Sequence, residues 1–430
     1  MKYLKRAEPQ SRQNNDDLVQ HVRKMLVDIE SNRDAAVRHY AETYDRWQGG
    51  EFLVSGDEIE AVRKSLSPVF KDDFAFAKKQ VVDFAKRQRD TLAEFEDEFG
   101  DGIVLGQKII PVENAGCYIP GGKYPLISAA IMSVATAKAA GVDYVLGAAP
   151  PRDGKSIYPH TLYALAESGA DEIYAIGGVQ AFASMAYGCV GMRPVDIITG
   201  PGNAYVAEAK RQLFGMVGID LPAGPTEILV IADDSADPAL VAADLLGQAE
   251  HGPDSPAWLI TQSTSFGEAV AAEIETQLVT LPTRQVARAS WDRWGEIMVV
   301  DSDDEAIAVS DRYAPEHLEV QTARNDYYLA NLRNYGSLFL GEESTVAYGD
   351  KGVGTNHTLP TGRAARYTGG LWVGKFLKTV TYQRLTPAAS RQIAPAMGRL
   401  CRAEGMLAHE ITADVRAERY AEGQTAGADE

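Results

Sequence analysis

Apolar residues recur at three- and four-residue spacing from Asp16 to about Gly100, as in Leu18, Val22, Met25, Leu26 and Ile29, which predicts a helical entry region. The period changes at GIVLGQKIIPVENAGCYIPGG, where β-branched runs cut by glycine and proline predict strands and turns. Alternating units follow: a strand YVLGAA (144–149), a helix near 159–168, a strand EIYAIGG (172–178), a helix from Gln180, a strand DIITG (196–200) and a helix from Asn203. A second alternating block runs from EILVIAD (227–233) through AWLIT, IMVVD, HLEVQT and SLFLG to about residue 341. Strands alternating with helices of this length imply right-handed crossovers and parallel sheets, so two α/β sheet domains are expected. After Gly370 the pattern predicts mostly helix, and the terminal EGQTAGADE is expected to fray.

Composition narrows the function classes. A chain of 430 residues is too long for one ordinary core. Sixty acidic against 42 basic side chains give a formal net charge of -18, which repels the phosphates of nucleic acid and anionic lipid headgroups. No nucleic-acid or membrane partner is expected. The opening MKYLKRAEPQSRQNNDD has early lysines but turns polar at once, and no later segment approaches the ~20 apolar residues that span a bilayer, so the expected address is cytoplasmic. Cys117, Cys189 and Cys401 are too few and too scattered for a disulfide framework or a CxxC metal site and are read as packing residues.

Three glycine turns fall at strand ends: IPGGKYP (119–125), IGGVQAF (176–182) and TGPGNAY (199–205). None is a GxGxxG, and singly each is an ordinary tight turn. Three at one edge of a parallel sheet, however, place backbone N–H groups where a pyrophosphate would sit. In LLGQAEHGPDS, Gln248 and His251 stand three apart on a helix end and share a face, as two ligands of one ion would. His251, His317, His357 and His409 each sit beside a carboxylate, glycine or amide, and with Asp350 in AYGDKGVGTNH they could supply zinc with nitrogen and oxygen. In APEHLEV, Glu316 and His317 follow a proline; at a turn or strand end the two can flank one small substrate, histidine taking an alcohol proton and glutamate a water proton.

The strings YIPGG, GGVQAF, TGPGNAYVAEAKRQ, DLPAGPTEILVIAD, LLGQAEHGPDS, YAPEHLEV, GDKGVGTNHTLPTG and AEGMLAHEITADV, in this order, resemble the histidinol dehydrogenase family over nearly the whole chain. The resemblance implies an intertwined homodimer with two incomplete Rossmann-like domains. Residues 1–15 would be a tail, 16–117 with 228–370 a first α/β domain for substrate and zinc, 118–227 the NAD-binding domain, and 371–430 a helical dimerisation arm. It implies one Zn2+ per subunit held by Gln248, His251, Asp350 and His409, the last donated across the dimer. Glu316 and His317 would be the catalytic pair, and Tyr118, Gln180 and Asn203 would contact NAD. Thr226, His317 and Glu404 would line the substrate pocket together with the zinc ligands. The implied reaction is oxidation of a small primary alcohol to a carboxylate in two hydride transfers to NAD+.

Several positions depart from that family's usual pattern. Lys123 follows PGG, Lys351 follows the aspartate, Arg363 stands where a glycine is usual after LPTG, and Thr226 replaces a serine. Three added cations suit an anionic substrate group better than an imidazole carrying a cationic amine. They favour a paralogous branch that oxidises 2,3-dihydroxypropane-1-sulfonate (sulfopropanediol) to sulfolactate. Against this, Glu404 is retained, and that carboxylate suits the amine of L-histidinol, which stays as the alternative substrate. A catalytically silent, metal-binding dimeric scaffold is the alternative from another class. A dehydrogenase stopping at the aldehyde is disfavoured, because Glu316 is needed only where water must be activated.

Overall fold

The structure, a computed structural model, describes residues 1–8, 16–121, 125–221 and 224–421. The labelled elements, in chain order, are β1 (Lys2–Lys5), α1 (Asp16–Tyr40), β2 (Phe95–Gly100), β3 (Ile103–Pro111), β4 (Asn114–Tyr118), β5 (Tyr144–Ala149), β6 (Glu172–Ala175), α2 (Gly178–Tyr187), β7 (Ile197–Thr199), α3 (Ala204–Leu213) and β8 (Gly218–Ile219). They continue with β9 (Ile228–Ala232), α4 (Pro238–Ala249), β10 (Ala257–Thr261), β11 (Glu296–Val299), β12 (His317–Gln321), β13 (Ser337–Leu340), α5 (Val346–Lys351), β14 (Leu377–Leu385), α6 (Pro387–Ala403) and α7 (Leu407–Arg419).

Contacts group the chain into two units, Met1–Arg89 with Val112–Phe376, and Asp90–Pro111 with Leu377–Glu430. The larger holds two sheets, ordered β6-β5-β4-β7-β8 and β1-β11-β10-β9-β12-β13. Every pairing is parallel except that of β1 with β11 at one edge. The expected mixed α/β architecture with parallel sheets is therefore present.

Burial explains the unbroken apolar runs. Ile228, Val230 and Leu259 pack into one core cluster with Leu245 and Val270, while Leu229, Ile231, Ile260 and Leu318 pack into another with Met298 and Val309. Successive strand residues point to opposite faces, so a strand buried on both sides reads as continuous apolar sequence. In the five-stranded sheet the order reverses between β4 and β7, and the three glycine turns leave the carboxyl ends of β4, β6 and β7. That is where open parallel sheets take ligands.

The smaller unit has a different build. β14 runs antiparallel to β3 in unbroken register from Leu377↔Pro111 to Leu385↔Ile103, and β2 flanks β3 on its other side. The segment after Gly370, expected to be mostly helical, thus holds a nine-residue strand ahead of its two long helices. LKTVTYQRL carries four consecutive β-branched or aromatic residues, Thr379 to Tyr382, and pairing with β3 decides in favour of the strand. Two helices follow, α6 and α7, joined by an Arg402–Glu410 ion pair. Among the described residues no helix is long and apolar enough to cross a membrane.

Candidate active site

The acid–base pair arises where two parallel strands begin. β9 and β12 are neighbours with His317 opposite Ile228, so the residues just before β9 lie against Glu316 and His317. Glu316 Oε2 accepts a hydrogen bond from the Glu227 N–H at 3.0 Å and another from the Thr226 hydroxyl. Thr226 Oγ1 in turn accepts from Gln248 Nε2 at 2.5 Å. His317 Nδ1 lies 3.1 Å from the Glu227 carbonyl oxygen. Because a carbonyl only accepts, Nδ1 carries a proton, and in the neutral ring the free lone pair sits on Nε2. That atom is buried without a hydrogen-bond partner; Asp350 Oδ1 stands 3.8 Å away, too far for one. The backbone of a single residue, Glu227, therefore fixes the rotamers of both members of the pair.

Electrostatics follow from burial and neighbours. Burial pushes the Glu316 carboxyl up, and burial together with Glu316 pushes Glu227 up to about 8. Burial opposes a charge on His317, but the carboxylates of Glu316 and Asp350 outweigh it and raise the imidazole to about 9. Burial also opposes ionisation of Asp350, yet His317, His357 and Lys351 hold its carboxyl well below the ordinary carboxylate range. His251, solvent-accessible at the end of α4 but walled in by the cleft, is lowered by desolvation.

Gln248 is buried, with its amide nitrogen committed to Thr226. Asp350 rides on α5, and Lys351 places Nζ 3.8 Å from its Oδ2. His251 and Asp350 act on one another electrostatically. An ionised carboxylate, a neutral imidazole and an amide oxygen are the protonation states a divalent cation requires, so these side chains fit a zinc ion. Among the described residues, however, no group of three or more His, Cys, Asp or Glu side chains could by itself hold a metal. His409 on α7 and Glu404 at the end of α6 belong to the smaller unit, and both are exposed. His357, another zinc candidate, is engaged through Nε2 with Ser128 Oγ at 3.1 Å.

The candidate cofactor residues stand on the glycine turns. Tyr118 is buried at the end of β4 against Phe182, and its hydroxyl oxygen accepts from the Gly178 N–H at 3.4 Å. Gln180 is buried, its Nε2 donating at 2.9 Å to Asp45 Oδ2, which also accepts from Gly177. Asn203 caps α3, its Oδ1 accepting from the N–H groups of Tyr205 and Val206. Tyr118, Gly178, Asn203, Thr226 and His251 line one cleft of about 770 Å3. Its walls are the carboxyl ends of the five-stranded sheet, the segment leading into β9 and the turn after α4.

Gly200 shows why one turn needs glycine: its φ is +126°, and a Cβ there would lie 2.1 Å from the Tyr118 carbonyl oxygen. Gly200→Ala is expected to destabilise the protein by about 2 kcal/mol or more. Unchanged urea denaturation would contradict that.

Of the basic residues, Lys351 stands beside Asp350, and Lys123 lies outside the described residues. Arg363 is exposed at φ 69° in a turn tied to the site: the Gly362 N–H donates to Glu227 Oε1 at 3.1 Å, and the Gly224 N–H to Thr361 Oγ1 at 2.6 Å. Sequence reasoning missed Glu227 and Asp45. For Glu227 a signal existed, an acidic residue flush against the wholly apolar ILVIA; for Asp45, inside a helical stretch, none did.

The sequence pattern of one family, histidinol dehydrogenase, matches residues 8–417. A histidinol dehydrogenase homolog from Shouchella clausii is 50% identical over 97% of this chain and 99% of its own length. Sulfopropanediol 3-dehydrogenase from Ruegeria pomeroyi is 47% identical over 99% of this chain and 98% of its own. The crystal structure of histidinol dehydrogenase from Elizabethkingia anophelis matches with a TM-score of 0.89 at 34% identity, covering 96% of this chain and 94% of that one.

Proposed function

Because the chain belongs to the histidinol dehydrogenase family, and is thus an NAD-dependent oxidoreductase acting on an alcohol, we propose that it oxidises a small primary alcohol to a carboxylate in two steps. The observation that carries this reading is the buried, unpartnered Nε2 of His317 beside the buried carboxyl of Glu316. In the first step Nε2 takes the hydroxyl proton as the alcohol becomes an aldehyde. In the second, Glu316 takes a proton from water as it adds to the aldehyde carbon, and the carbonyl oxygen takes back the proton held on His317; the resulting gem-diol then loses its C–H hydrogen as hydride and an O–H proton to His317, becoming the acid. When bound, NAD+ supplies the hydride acceptor twice, and zinc orients the substrate and polarises its oxygen. A cation beside Asp350 would also cancel the field that raises His317, favouring the neutral ring that can accept a proton.

Gln248, His251 and Asp350 would hold the zinc with His409 of a second copy, and Tyr118, Gln180 and Asn203 would meet the dinucleotide. The homodimer is supported by α7, where Leu407, Ile411 and Val415 form an exposed apolar stripe at four-residue spacing. A cytoplasmic address accords with this chemistry.

For the substrate, we read sulfopropanediol in preference to L-histidinol. Lys351 stands at Asp350, and Arg363 occupies a left-handed backbone position that glycine would fill without strain. By the resemblance, Thr226 and Glu404 would each contact the substrate, and Glu404 is the residue that favours histidinol. Purified enzyme with zinc and NAD+ is expected to turn over 2,3-dihydroxypropane-1-sulfonate with two NADH per alcohol. Lys351→Ala and Arg363→Gly should each raise KM for the sulfonate about tenfold or more. Turnover of histidinol with none of the sulfonate would overturn the substrate choice.

A further inference from the structure

Glu319 is fully buried on β12, two residues beyond His317 and on the same face of the strand. Nothing in the proposed reaction uses it. Its Oε1 accepts from the Val346 N–H at 3.1 Å, and its Oε2 accepts from Gln321 Nε2 at 3.1 Å. The same Gln321 nitrogen donates at 2.8 Å to Asp244 Oδ2, and Thr345 Oγ1 donates at 2.9 Å to Asp244 Oδ1. One Gln321 nitrogen thus bridges the two carboxyl groups, and two bare carboxylates held side by side in a buried site repel one another. Burial first, and Asp244 second, push the Glu319 carboxyl well above the ordinary carboxylate range.

This cluster sits at one particular place. Thr345 is the cap residue of α5 and Val346 its first residue, and the cap makes no side-chain bond to its own helix. The helix is six residues long and ends on Asp350 and Lys351. So short a helix has little stability of its own, and its position depends on what grips its ends. β12 carries both His317 and the carboxyl that grips α5, so one strand face sets both sides of the 3.8 Å approach between His317 Nε2 and Asp350 Oδ1.

We propose that Glu319 is a positioning residue: bridged to Asp244 through Gln321 and bonded to the Val346 N–H, its carboxyl fixes the first turn of α5 and through it the place of Asp350 relative to His317. The reading of Asp350 as a zinc ligand belongs to the proposed function, and the test separates the two. Glu319→Gln keeps the acceptor for Val346 and gives up the one for Gln321, putting an N–H there instead; Glu319→Leu keeps the volume and removes both acceptors.

Hydrogen exchange of the Val346 and Asp350 amides in metal-free protein, with the β9 amides as the reference for global opening, is expected to quicken at least about tenfold in Glu319→Leu. Zinc affinity by chelator competition should fall about 10- to 100-fold. Glu319→Gln should stay within about threefold of wild type in both, since a neutral amide replaces a neutral acid. Unchanged exchange in Glu319→Leu overturns the proposal, and so does a Glu319→Gln protein as damaged as Glu319→Leu. Faster exchange with undiminished zinc affinity supports the positioning role and instead sinks the assignment of Asp350 to the metal.

Discussion

Replacing His317 by asparagine is expected to lower kcat by about 10^2- to 10^4-fold while the folded structure is retained. Asparagine can still donate to the Glu227 carbonyl, the bond His317 makes through Nδ1 at 3.1 Å, but it presents no basic nitrogen where Nε2 now stands. The loss should therefore appear in turnover and not in far-UV circular dichroism. Glu316→Gln should behave differently. It removes the base needed only when water adds, so NADH formed per alcohol consumed should fall from two toward one and aldehyde should be trapped by semicarbazide. A His317→Asn enzyme within threefold of wild-type kcat would remove the ring from the chemistry.

Breaking the Lys210–Asp220 ion pair should have the largest effect on stability. Both side chains are buried, at 2% and 0% exposure. Lys210 Nζ donates to the Gly200 carbonyl at 3.0 Å, and Asp220 Oδ2 accepts from the Gly200 N–H at 2.8 Å. The pair thus grips both backbone groups of the residue that turns the chain from β7 toward Asn203. Lys210→Met fills the space but leaves a carboxylate buried with no counter-charge, a change expected to destabilise the fold by about 3–5 kcal/mol. Binding of NAD+, followed by quenching of intrinsic fluorescence, should weaken in step. A urea midpoint indistinguishable from wild type would contradict this account of the turn.

Much of this was legible beforehand because it was written in apolar spacing. Runs such as ILVIA and AWLIT, short, β-branched and alternating with helical stretches, read as strands of a covered sheet, and the glycine turns announced the strand ends at which they occur. The pairing of Glu316 with His317 was visible as neighbouring residues, but not what holds them. Thr226 and Glu227 lie some 90 residues away along the chain and are brought alongside only by the register of β9 with β12. Asp45, Lys210, Asp220, Asp244 and Glu319 were illegible for a related reason. At Asp45 and Lys210 a charge in a polar stretch reads as a solvated surface residue; Asp220, Asp244 and Glu319 stand among apolar residues, but only tertiary pairing shows what each meets inside. The strand β14 went unread because its partner, β3, is far away in sequence, and propensity alone favoured no single answer.

The cap at the start of α3 carries one more consequence. Asparagine, aspartate and serine cap helices about equally well, so the bonds from Tyr205 and Val206 do not explain the choice among them. With both of those bonds taken by its oxygen, Asn203 has only its amide hydrogens left to show the cleft. It can give a proton to a phosphate, ribose or carboxamide oxygen and can take none, whereas aspartate would have met the same oxygens with a like charge.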